Sequence, residues 1–303
     1  MKKIFPLLML LFFQTARAQM ITARVIDALN NKPLSYAIVL FSHEQRITYT
    51  DLNGFFSLSK DSLPKNDSII IQFIGYQRLK VVASELRNNE VYKLTPEMQS
   101  LEPVIVSNCR NTQDYLLNKK TGRIRQYIGP GPETRLIIIA RYDNISGVRG
   151  YVNQITVLIN ENVSQMQVPM RLHWYEWNAE QHIPGKELTD TNILVYPYTK
   201  GWNNFEIPAY TIPAPKDWIV FGLEFIYTPE YKQHYDSLKI QQEKLKWLND
   251  MQNRWSLGMQ YVKKEDESGF YMINNGEVTP YSRKYDRYFI RPAIKFRITA
   301  CKD

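Results

Sequence analysis

The sequence predicts an all-β protein: a Greek-key (prealbumin- or immunoglobulin-like) sandwich, then a larger jelly-roll-like sandwich carrying one inserted amphipathic helix. Three observations lead there. Val, Ile, Thr, Tyr, Phe and Trp recur in short runs whose apolar and polar positions alternate. Pro, Gly and Asn clusters separate the runs at the close spacing of sandwich strands. Only between Pro229 and Trp255 do apolar residues recur at helical intervals, with Tyr231, Tyr235, Leu238, Leu245, Leu248 and Trp255 on one face and Lys232, Glu243, Lys244, Lys246 and Asp250 on the other. That helix, about 230–253, is expected to pack on a sheet.

The chain has 303 residues, 44% of them hydrophobic and 13% aromatic, enough for two cored domains. Met1-Lys2-Lys3, the apolar run Ile4–Phe13 and small residues at Ala16 and Ala18 read as a signal peptide, residues 1–18, cut after Ala18. Export to the periplasm, the outer membrane or the medium follows. No later run is long enough for a transmembrane helix. Without Lys2, Lys3 and Arg17 the balance is 35 basic to 30 acidic residues, net +5 instead of +8. The basic groups cluster at Lys119, Lys120, Arg123 and Arg125 and again from Arg283 to Arg297. In an exported protein these suit solvated strand faces better than nucleic acid.

The first domain is expected over 19–107. Met20–Asp27, Ala37–Phe41, Gln45–Thr50, Phe55–Leu58, Ser68–Ile74, Gln77–Val82, Val91–Leu94 and Val104–Val106 are its strands. Asp51-Leu52-Asn53-Gly54 is a tight turn in which Gly54 takes positive φ and Asp51 bonds the turn backbone. Its start resembles a calcium loop, but Phe55 occupies the next ligand position.

Several ordered motifs here resemble the carboxypeptidase-regulatory-like domains of Bacteroidota: Arg24-Val25-Ile26-Asp27, Pro33–Ala37, Thr50–Phe56, Ile74-Gly75-Tyr76 and Leu101–Val106. Where the family usually has Gly before the Val, this chain has Arg24. The resemblance implies a transthyretin-like, non-catalytic accessory module without zinc ligands of its own, of the kind that flanks other exported domains. Lys200–Ile207, Trp218–Phe225 and Arg291–Phe296 look like the β-sandwich often appended to that module. The second sandwich is also similar in pattern to carbohydrate-binding modules, a likeness of fold alone.

Between the two, residues 108–132 read as a linker, polar and turn-rich at Asn118–Arg123 and rigid at Gly129-Pro130-Gly131-Pro132. The second domain, 133–303, has expected strands at Thr134–Tyr142, Gly150–Asn160, Val168–Trp177, Ile193–Tyr198, Gly201–Ile207, Trp218–Tyr227, Ser256–Val262, Gly269–Ile273 and Tyr288–Ala300. Cys109 and Cys301 could pair in an oxidising compartment, although spacing does not establish connectivity.

Catalytic signatures are sparse. His43, His173, His182 and His234 form no ligand pair at metal spacing, and no cofactor is implied. His173 and Glu176 fall on opposite faces of a strand. No nucleophile elbow is present. Glu176, Glu206 and Glu224 lie among aromatic strands, as alternation places acids on the wet face of any sandwich. A carbohydrate-active hydrolase would need two such acids across a cleft. The strand Val168–Trp177 offers more. Alternation puts Met170, Leu172 and Trp174 on its core face, and Arg171, His173, Tyr175 and Trp177 on the other, a candidate surface for a glycan or an envelope protein. The plainer reading packs Tyr175 and Trp177 beneath the helix. A non-enzymatic binding protein of the envelope is the favoured reading.

Overall fold

The computed structural model describes residues 20–42, 47–60, 63, 67–97, 111–129, 135–144, 146–160, 168–189, 191–207, 212–244, 256–263, 270–274, 277–281 and 288–301. The expected signal segment, the strand Val104–Val106, His43 and Cys109 lie outside the described residues.

Among the described residues, seven strands build the first domain: β1 (Met20–Asp27), β2 (Ile38–Phe41), β3 (Ile47–Tyr49), β4 (Phe55–Ser59), β5 (Ser68–Gln72), β6 (Leu79–Val82) and β7 (Val91–Leu94). They form two sheets, β4-β1-β7 and β3-β2-β5-β6, with β1 antiparallel to β4 and parallel to β7. Alternation sends Ile21, Ala23, Val25, Val39, Phe41, Phe56, Leu58, Ile69, Ile71 and Leu94 into the core between them. The expected turn forms as read: Asp51 Oδ1 accepts the N–H groups of Asn53 and Phe55 at 2.9 and 2.8 Å, and Gly54 has φ +80°.

The outer face of the four-stranded sheet is not wet. Ile38, Ile47 and Tyr49 are buried in the core of the second domain, and Leu40 packs against it. Register explains the grouping, since Ile38 lies opposite Tyr49 and Leu40 opposite Ile47. Strand β2 is therefore apolar at every position, as a strand covered on both faces should be.

The second domain packs a seven-stranded sheet on an eight-stranded one. Its strands are β8 (Thr112–Leu117), β9 (Ile124–Ile128), β10 (Leu136–Asp143), β11 (Gly150–Ile159), β12 (Met170–Asn178), β13 (Ile183–Glu187), β14 (Ile193–Val195), β15 (Gly201–Glu206), β16 (Pro213–Ala214), β17 (Trp218–Phe225), β18 (Leu257–Lys263), β19 (Phe270–Asn274), β20 (Glu277–Tyr281), β21 (Tyr288–Pro292) and β22 (Ile294–Cys301). One sheet runs β13-β12-β17-β10-β19-β20 with β14 on β12. The other runs β21-β18-β11-β22-β8, with β15 and β16 on β11 and β9 on β18. Met170, Leu172, Trp174, Phe221, Leu223 and Phe225 from the first meet Val152, Ile155, Val157, Met259, Phe296 and Ile298 from the second.

Three expectations are corrected. The supposed linker 108–132 contains β8 and β9, hydrogen-bonded to β22 and β18. Its polar composition is that of an edge strand, where Leu117 is buried and its neighbours face water. Strands β13 and β20 were hidden by Pro184, Gly185 and Pro280, residues tolerated at sheet edges. The run Tyr288–Ala300 is two strands on different partners, broken at Ala293.

The described helix, α1 (Pro229–Lys244), starts with proline, and the Thr228 hydroxyl accepts the Tyr231 N–H at 3.3 Å. Tyr231 is buried in the second core, while Lys232 and Asp236 pair along the helix at 2.7 Å. The expected continuation to residue 253 lies outside the described residues. Among the described residues no helix is long and apolar enough to cross a membrane.

Candidate binding cleft

The face of β12 opposite the core carries Arg171 and His173, and the antiparallel register sets Arg171 directly across from Glu224 on β17. Glu224 is 0% exposed because the first domain lies over it. Each oxygen of its carboxylate accepts two bonds. Oε1 receives the Tyr49 hydroxyl of the first domain and Arg135 Nε, both at 3.0 Å. Oε2 receives Arg171 Nη1 at 3.0 Å and His173 Nε2 at 2.9 Å. Arg171 is engaged at each nitrogen in turn: Nε donates to Asn192 Oδ1 at 2.7 Å, Nη2 to the Tyr36 carbonyl at 2.5 Å, and its guanidinium lies over the Phe73 ring. Thus Tyr36, Tyr49 and Phe73 of one domain are joined to the other through one buried charge cluster.

His173 Nδ1 lies 2.6 Å from Glu187 Oε1 on β13. A ring with a carboxylate at each nitrogen is best matched with protons on both, since a bare nitrogen would face oxygen lone pairs. Burial works against that charge, but Glu187 and Glu224 outweigh it and raise the His173 pKa above its ordinary value. Burial would push Glu224 up, yet Arg135, Arg171 and His173 hold it well below the usual carboxylate range. Burial, reinforced by the Glu224 charge, raises Tyr49 well above an ordinary phenol, so it stays a donor.

This cluster floors a cleft of about 510 Å³ between the domains. Gln72, Phe73, Ile74, Gly75, Tyr76, Gln77 and Arg78 of the first domain face Arg135, Glu187 and Thr189 of the second. The Ile74-Gly75-Tyr76 motif thus forms a cleft wall: Gly75 has φ +76°, and the Tyr76 hydroxyl is anchored on Asp27 at 3.0 Å. Arg135 and Glu187 belong to both cluster and cleft; their side chains are 14% and 33% exposed.

Of the four predicted surface residues, Arg171 and His173 belong to the cluster, buried completely, and Tyr175 is buried beside them. Trp177 is half-buried. Neither Tyr175 nor Trp177 needs the helix for cover, because both pack with Ile137, Ile139, Val220 and Tyr271 on their own sheet. Strands β13 and β20, the ends of that sheet, come back into contact and curl it around this patch. At its far end Arg141 lies over both Trp177 and Trp218, 4.9 and 5.4 Å from the ring centroids. Glu176 and Glu206 are exposed, and Glu206 accepts from Gln154, its partner across the β11–β15 pair of the eight-stranded sheet. They do not join Glu224. Arg135, Glu187, Asn192 and Tyr49 escaped the sequence reading. The available signal was opposite charge on one strand face, Arg171 and His173 against Glu224, with apolar residues on either side of the acid.

Cys301 is disulfide-bonded. Among the described residues no group of three or more His, Cys, Asp or Glu side chains is arranged to hold a metal ion.

Fold and cleft define a two-domain β-sandwich protein with a charged interdomain seam. Residues 21–106 match the family model of the CarboxypepD_reg-like domain, which places the first sandwich and the Ile74-Gly75-Tyr76 wall of the cleft within that family's span. No curated protein matches the chain. Among solved structures, a clostridial cysteine protease, Cwp84, after propeptide cleavage shows a TM-score of 0.37 at 9% identity, over 88% of this chain and 66% of that one. The cysteine protease and lectin-like domains of Cwp84, a surface layer associated protein of Clostridium difficile, give 0.36 at 8% identity, over 88% of this chain and 59% of that one. Likeness at that level carries no argument about this protein.

Proposed function

We propose that the protein is a non-enzymatic accessory or binding protein of the bacterial cell envelope, and that it takes its ligand, a glycan, in the interdomain cleft. The observation that carries this reading is the cleft's floor. Its charges are fixed by mutual hydrogen bonds before any ligand arrives, which is the preorganisation a binding site needs. The volume falls in the roughly 300–1,000 Å³ range of small-molecule sites. The regulatory-like first domain supports an accessory role, and the signal-like N-terminus supports export. Glu224 argues against the hydrolase reading: with all its acceptor positions filled and its pKa depressed, it has no proton to give a leaving group.

The test is a glycan array with the wild type and Gln77→Trp, which puts an indole into the cleft from an exposed position. Signal lost on Gln77→Trp without a change in melting temperature supports the reading. Signal retained, or none on any glycan, overturns it.

A further inference from the structure

Arg135 is the member of the buried cluster whose spare guanidinium donors reach the cleft. Its Nε is committed to Glu224, and among the described residues its two terminal amino groups make no hydrogen bond, while the side chain lines the cleft. Arg171 beneath it is fully buried, and both Glu224 oxygens are filled. The charge count leaves the same gap. With His173 protonated, four cations (Arg78, Arg135, Arg171, His173) meet three carboxylates (Glu97, Glu187, Glu224) in the cleft and its floor. One positive charge is uncompensated, and Arg135 and the exposed Arg78 are the cations that reach the cleft. A guanidinium edge with parallel N–H groups matches a planar carboxylate, two bonds at once.

The remaining lining says what carries that carboxylate. The Gln72 and Gln77 side-chain amides make no hydrogen bond among the described residues, and the Thr189 hydroxyl, which accepts the Trp174 backbone N–H, keeps its own proton to donate. Amides and a hydroxyl, which both donate and accept, suit a ligand covered in hydroxyl groups. Ile38, Phe73, Ile74 and the Tyr76 ring supply the apolar wall, a face on which a sugar ring can lie. Resting on the cleft as the ligand site, we infer that its ligand is an acidic sugar, a uronic acid unit within a glycan, with its carboxylate on Arg135 and its hydroxyls on Gln72, Gln77 and Thr189.

Calorimetric titration of the full chain tests this, with trigalacturonate, neutral galactotriose, inorganic phosphate and an acidic tripeptide as probes. Trigalacturonate binding is expected, weakened about tenfold by Arg135→Lys, which keeps the charge and loses the fork, and about threefold by Gln77→Ala, with the melting temperature of the latter unchanged. Equal affinity for galactotriose, or equal affinity of wild type and Arg135→Lys for the acid, overturns the inference. Tighter binding of the tripeptide or of phosphate overturns it as well. If the neutral sugar binds and Gln77→Trp abolishes that binding, the cleft stands as the site and only the acid is wrong. If no sugar binds, both fall.

Discussion

Removing an ion from water costs several kcal/mol, and Glu224 recovers that cost only through the four donors on its oxygens. Taking the acid away leaves Arg135, Arg171 and His173 facing one another with only Glu187, on the far side of the His173 ring, to offset their charge. Glu224→Gln should therefore lower stability by about 3–5 kcal/mol in urea denaturation, whereas the exposed Glu206→Gln should stay within about 0.5 kcal/mol. Comparable losses at the two sites would refute the cluster's role. The pH dependence has a definite sign. A raised His173 pKa means that the folded state holds the proton more tightly, so its stabilisation is complete below the ordinary value of 6.5 and is lost as pH climbs through the raised one. Glu224, shifted the other way, contributes above its ordinary 4.5 and loses that contribution only as pH falls well below it. The groups facing His173 are Glu187, Glu224 and the stacked Tyr175 ring. A urea midpoint that falls as pH climbs above 6.5 in wild type, and falls less steeply in His173→Gln, is the expected record. Parallel slopes for the two proteins would contradict it.

Alternation made strand β12 legible, down to which residues enter the core, because Met170, Leu172 and Trp174 repeat at period two. What it left open was the cover. A strand's pattern assigns a side chain to a face, but whether water or a domain lies over that face depends on contacts distant in sequence, here Tyr49 on Glu224 across more than half the chain. Arg171 and His173 therefore read as surface when they are interior. Edge strands failed for a different reason, since β8, β9, β13 and β20 owe their place to one neighbour each and carry too few apolar residues to stand out. Two glycines set limits at this scale. Gly222 lies across from His173, and a Cβ there would come within 3.0 to 3.2 Å of Tyr175, His173 and Ile137, so Gly222→Ala should cost about 1–3 kcal/mol through overpacking. Gly54 combines φ +80° with a Cβ position 2.5 Å from the Val25 carbonyl oxygen, a backbone atom that cannot swing away. Gly54→Ala should melt lower than Gly222→Ala, and the reverse order in a thermal scan would discredit the turn's account.

The two domains share a core as well as a charge cluster, so neither has a complete surface without the other. Ile38, Ile47 and Tyr49 would be uncovered by separation, as would the Arg171–Glu224 pair. Calorimetry should show one cooperative transition for the whole chain, and two resolved peaks would mean that the seam is weaker than its contacts. The C-terminal strand adds a covalent tie on the far side of the second sandwich. Strand β8 begins at Thr112, directly opposite Cys301 on β22. Cys109, the other cysteine of the chain, stands three residues before Thr112 in the sequence. We propose that Cys109 is the disulfide partner of Cys301, closing a loop around the second domain. Cross-linking at that separation should contribute about 2–4 kcal/mol, chiefly by restricting the unfolded chain. Peptide mapping without reductant should recover one peptide joining Cys109 to Cys301, and reduction should lower the melting temperature. A free thiol at Cys109 in the native, oxidised protein would rule the tie out.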